Sequence, residues 1–149
     1  MLLDRPFIPV KTLFLFRHAK SSWAEQGIHD IDRSLNARGI QDAYDTGHWL
    51  RKKGVSAECI VSSPADRALH TATIISRTLN IPFSALQLDS KLYEAHPSDI
   101  EKVVCALPKQ IDSAKIGERR ADIMETGYGP YFRRMFLQGG ARPLPNEDA

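Results

Sequence analysis

The chain of 149 residues has only two cysteines, Cys59 and Cys105. Both lie in apolar segments, so two buried, reduced thiols are expected rather than a disulfide framework. No apolar run approaches the roughly 20 residues that a membrane-spanning helix needs. The first residues, MLLDRPFIPVK, carry Asp4 and two prolines where a secretory leader would have a basic and then an apolar region, so no such leader is expected. Charge of one sign is also lacking: 20 Lys and Arg against 18 Asp and Glu leave a net +2. With no dense basic block, that balance argues against nucleic acid as a partner. There is no internal repeat, no low-complexity tract, no Cys/His cluster at metal spacing and no nucleotide-type glycine-rich loop. Neither a metal nor another cofactor is therefore expected. What remains is one globular chain, expected in the cytoplasm, with enough hydrophobic residues (42%) to bury a core.

Residues 11–16 (KTLFLF) form a short, continuously apolar run, as in a strand covered on both faces. A polar loop rich in Ser, Asp, Gly and Asn follows. Asn36 then offers a cap for a helix in which Ile40, Ala43, Tyr44, Gly47 and Leu50 recur at helical spacing, with Gly54 beyond its end. Residues 58–63 (ECIVSS) read as a second buried strand. A second helix runs from Ala65 with Ala68, Ala72, Ile75 and Leu79 on one face, until Asn80-Ile81-Pro82 stops it. Residues 85–89 (ALQLD) are a weaker strand, and 98–107 (SDIEKVVCAL) a helix that Pro108 ends. Strand and helix in alternation predict an α/β fold with a mainly parallel sheet. After Pro108 the pattern changes: no convincing strand is apparent, and the tail GGARPLPNEDA reads as disordered. Residues 1–108 are thus expected as the α/β domain, and 109–149 as a divergent or truncated C-terminal segment.

In a parallel sheet the ligand crevice lies at the carboxyl ends of the strands. Arg17-His18 follows the first strand and SSPADR, with Arg67, follows the second, so these side chains can converge from distant parts of the chain. Two guanidiniums beside an imidazole suit a phosphate. The planar fork matches phosphoryl oxygens bidentately and stays charged. A neutral imidazole can attack phosphorus from one nitrogen when the other donates to a fixed acceptor, often a backbone carbonyl. By itself Arg-His at a strand end also reads as a strand leaving the core at its polar end. His48 and His70 read as surface or structural groups, whereas His29 and His96 lie in loops near the presumed crevice.

Four motifs in order, LFLFRHAKSSW, DRSLNARG, VSSPADRALHTA and LYEAHPSDI, span about Thr12 to Pro108. Together they resemble the histidine phosphatase superfamily, and within it the small SixA-type phosphohistidine phosphatases. The resemblance implies a three-layer α/β/α sandwich with a mainly parallel central sheet. It implies His18 as a transiently phosphorylated nucleophile, Arg17 and Arg67 as phosphate clamps, and Glu94 as an acid that protonates a leaving group. Lys20 and Ser21 are further phosphate-binding candidates, Lys20 either adding a cation or facing solvent. Many mutase-type members have Gly-Glu after the histidine and Asn after the tryptophan; here Ala19, Lys20 and Ala24 stand in those places. There is no room for the large mutase insertions, which favours an open site suited to a phosphorylated side chain on another protein.

The resemblance also expects a second histidine after a fourth strand, in a VGH context. No histidine follows His96, and IDSAKIGERRADIM occupies that place without the expected apolar run, so the sheet could be incomplete at its C-terminal edge. A frame-shifted or truncated product, a divergent segment with a substitute donor (His29 or His96 being candidates), and a degenerate enzyme all fit. The expected function is phosphoryl hydrolysis through a phosphohistidine intermediate, acting on phosphohistidine in a protein. The alternatives are an impaired phosphohistidine-binding module and a small-molecule phosphomonoesterase. The partner is accordingly a phosphoprotein or a small phosphomonoester, with no membrane role.

Overall fold

Side-chain alternation along two short strands divides the molecule into layers. The computed structural model describes residues 11–108 together with strands at 113–118, 132–138 and 142–143. Strand β1 (Lys11–Arg17) and strand β2 (Cys59–Ser62) are buried on both faces over Leu13–Phe16 and all of β2. Leu13, Leu15, Cys59 and Val61 point one way and pack on Ile100, Val103 and Val104 of helix α3 (Pro97–Ala106). Phe16 and Ile60 point the other way, onto Leu50 of helix α1 (Ala37–Lys52) and Ala72 and Ile75 of helix α2 (Asp66–Thr78). The period of two that defines a strand therefore assigns α3 to one face and α1 with α2 to the other. This is the expected three-layer α/β/α sandwich.

With β3 (Leu86–Leu88), β4 (Ser113–Glu118), β5 (Phe132–Gln138) and β6 (Arg142–Pro143), the sheet order is β3-β2-β4-β1-β5-β6. Its pairings are parallel except β5 with β6. The expectation of no strand after Pro108 is thereby corrected. Strand β4 lies between β2 and β1, where backbone partners on both edges hold a segment lacking the apolar run that a local pattern requires. The sheet continues past β1 through β5 and β6. Of the tail read as disordered, the structure describes only Arg142–Pro143; the remainder, with 109–112 and 119–131, lies outside the described residues.

The helix ends follow their signals. The Asn36 side chain accepts from the Gly39 amide at 2.7 Å, and Gly54 adopts the positive φ of +71° that a helix stop requires. Gly47 lets α1 approach α2, since a Cβ there would lie 2.8 Å from the Thr78 side chain. Two burial expectations fail. Tyr44 is exposed, being on the margin of the α1 face, and Cys105 is exposed on α3 while Cys59 is buried; both thiols are free. Among the described residues no helix is long and apolar enough to cross a membrane.

Candidate active site

Because β1 and β2 are both parallel to β4, their C-terminal ends open onto one edge of the sheet. His18 leaves β1 there, half-buried. Its Nδ1 lies 2.7 Å from the Ala19 carbonyl oxygen. A carbonyl only accepts, so Nδ1 carries the proton and the lone pair sits on Nε2, the tautomer a nucleophilic imidazole needs. The Ala19 amide donates to Thr71 Oγ1 at 3.0 Å, and that hydroxyl donates to the Arg67 carbonyl at 2.7 Å. One threonine thus ties the loop after β1 to the first turns of α2.

Arg67 enters from the second residue of α2 and is 1% exposed. Its Nη1 donates to the Asp30 carbonyl and its Nη2 to Asp30 Oδ2 at 2.9 Å, while Nε is buried with no hydrogen-bond partner among the described residues. Asp30 belongs to a 3-10 turn, Asp30–Asp32, in the loop after β1. Its Oδ2 also accepts from the Tyr93 hydroxyl at 2.9 Å, and its Oδ1 lies 3.4 Å from Arg33 Nη1. Burial, and then the hydrogen bond to and charge of Asp30, raise the Tyr93 pKa, which keeps the phenol a donor. Arg33 donates to Ser21 Oγ at 2.7 Å and stacks on the exposed Trp23 ring, 3.4 Å from its centroid.

A small cleft is lined by His18, Ser63, Arg67, Leu92, Tyr93 and Glu94, among others. The fold therefore brings together His18, Arg67 and Glu94. Glu94 is exposed at a φ of +50°, a left-handed conformation that costs a non-glycine residue about 1–2 kcal/mol. Arg17 is exposed and borders a different recess, with Ala43, Thr46 and Thr71. Lys20 is exposed and its carbonyl accepts from the Asn36 amide at 3.0 Å, whereas Ser21 is buried with its hydroxyl on Arg33. His29, His48, His70 and His96 are all exposed, and none lines the cleft; the His96 amide donates to Asp99 and starts α3. On β4, Gly117 pairs with Phe16 and Glu118 with Arg17.

Sequence reading missed Asp30, Tyr93 and Thr71. The signal for Asp30 was an acidic pair in the loop HDIDR, but nothing local links it to an arginine 37 residues away.

The family model of the histidine phosphatase superfamily (branch 1) matches residues 13–124. The chain belongs to the histidine phosphatase superfamily. The 2,3-bisphosphoglycerate-dependent phosphoglycerate mutase of Borreliella burgdorferi (strain ZS7) is 30% identical over 118 residues, covering 78% of this chain and 46% of that protein. The chain thus spans about half the length of such relatives. A structure from Agrobacterium tumefaciens described as a phosphohistidine phosphatase SixA superposes with a TM-score of 0.68 at 24% identity, over 77% of this chain and 72% of its own. The protein histidine phosphatase SixA complexed with tungstate superposes with a TM-score of 0.68 at 18% identity, over 89% and 92%. At those identities the likeness is one of fold.

Proposed function

We propose that this chain hydrolyses phosphohistidine in a protein partner through a phosphohistidine of its own at His18. The observation that carries the reading is the His18 ring, held by its Nδ1–Ala19 hydrogen bond in one cleft with the buried Arg67 guanidinium. In the first step Nε2 of His18 attacks phosphorus and the bond from phosphorus to the substrate nitrogen breaks. The leaving imidazole takes its proton from Glu94 or water. In the second step water attacks phosphorus, the bond from phosphorus to Nε2 breaks with its electron pair returning to Nε2, and the proton lost by water passes to Glu94 or solvent as inorganic phosphate leaves. Arg67 and Arg17 neutralise the non-bridging oxygens, Lys20 and Ser21 being further candidates, so catalysis is mainly positioning and electrostatic stabilisation. Likeness in fold to SixA-type structures supports a protein-borne substrate over a small one.

A second reading, a binding module with impaired turnover, is favoured by one observation: β4 ends in Gly117-Glu118 rather than Gly-His. Losing one preorganised donor of that kind costs about 10²–10³ in rate. Incubation with a ³²P-phosphohistidine protein separates the readings. Transient acid-labile label on wild type, absent from His18→Ala, together with phosphate release, is expected. Binding with neither label nor release leaves only the module. Faster turnover of small phosphomonoesters than of phosphoprotein would move the substrate to that class.

A further inference from the structure

A guanidinium offers an end-on edge, Nη1 with Nη2, and a side edge that includes Nε. In Arg67 the end-on edge is taken by one residue, Asp30, through both its backbone carbonyl and its carboxylate. Among the described residues, Nε is left buried and unpartnered. A buried N–H with no acceptor is costly, and Arg67 lines the same cleft as His18, so an acceptor belongs beside this edge. Asp30 is itself over-determined. Tyr93 donates to the same Oδ2, Arg33 approaches Oδ1, and Arg33 is fixed by Ser21 and by stacking on Trp23. Two guanidiniums share this one carboxylate, so it does not cancel the positive charge near the cleft.

We propose that Asp30 is a positioning residue for phosphate binding: it grips Arg67 end-on, and thereby presents the Nε edge to an anion beside His18. This rests on the proposed function, in that Arg67 is taken to be a phosphate clamp. The opposite role, a carboxylate that plugs the clamp and must be displaced by phosphate, predicts effects of the opposite sign. The free Nε edge favours positioning, because an anion can bind there without displacing Asp30 from Nη1 and Nη2.

The test is calorimetric titration of the full chain with inorganic phosphate, on wild type, Asp30→Ala, Asp30→Asn, Arg67→Met and the Asp30→Ala/Arg67→Met double variant. Loss of a hydrogen bond to a charged group predicts about tenfold weaker binding for Asp30→Ala. Asp30→Asn, which retains an acceptor oxygen for Nη2, should be weakened less. Because Asp30 acts through Arg67, the double variant should bind no more weakly than Arg67→Met alone, a non-additivity that general loosening of the fold would not produce. Should Asp30→Ala fail to give a cooperative thermal transition, Tyr93→Phe, which removes one contact to Oδ2, takes its place and should weaken binding by a smaller factor. Unchanged or tighter phosphate binding in the Asp30 variants, with wild type binding and Arg67→Met impaired, overturns the positioning role alone. No phosphate binding by wild type would instead remove the proposed phosphate site, and this inference with it.

Discussion

Gly39 occupies the first turn of α1, where alanine would ordinarily be preferred by about 1 kcal/mol. The structure predicts the reverse. A Cβ on Gly39 would lie 2.1 Å from the Lys20 carbonyl oxygen and 2.9 Å from its carbon and nitrogen, all of them backbone atoms. Relief requires about 1 Å of movement, since contacts under 3.0 Å are essentially never seen. The carbonyl cannot swing away freely, because it accepts from the Asn36 amide at 3.0 Å while the Asn36 side chain caps the same helix. Overpacking of this kind costs about 1–3 kcal/mol, and a broken hydrogen bond about 1 kcal/mol more. After subtracting the helix preference, Gly39→Ala should lose about 1–3 kcal/mol net. Urea denaturation followed by circular dichroism reads this directly. With a slope of about 2 kcal/mol per molar, the midpoint should fall by about 1 M. A midpoint equal to or above that of wild type would refute the reasoning, and with it the close seating of α1 on the loop after His18.

Arg67→Met keeps volume but removes a buried guanidinium. Since Asp30 is one-third exposed and retains Tyr93 and Arg33, the loss should be about 2–3 kcal/mol, below the full cost of a stranded buried charge; chemical denaturation checks it. Tyr93, whose folded pKa lies above its unfolded value, contributes stability that is complete below pH about 10 and is lost as pH rises through the folded pKa. Tyr93→Phe should therefore lose less stability than wild type between neutral and strongly alkaline pH, as thermal melts across that range would show; equal losses would contradict the shift. A thiol reagent at neutral pH should label Cys105 promptly and Cys59 only on unfolding, because Cys59 is buried and burial, with Glu58 adding to it, raises its pKa. Prompt labelling of both thiols would argue against that burial.

The sequence by itself determined the elements up to Pro108, because each strand and helix there carries its own apolar period and its own stop. Leu13 and Leu15 face one way and Phe16 the other, onto different helices, and Asn36 and Gly54 mark the limits of α1 through chemistry local to them. His18 and Arg67 were also legible, since strand ends in a parallel sheet share an edge, while Glu94 was named only through the resemblance; the fold gathers these three in one cleft. Strand β4 was not legible. Ser113–Glu118 has no period of its own and is made a strand by backbone partners on both sides, which no local pattern records. Tertiary structure alone decided what holds the arginine. Asp30 reaches Arg67 from 37 residues away in sequence and Tyr93 reaches Asp30 from 63, and a carboxylate's choice of partner is set by where loops cross in space, not by its neighbours along the chain.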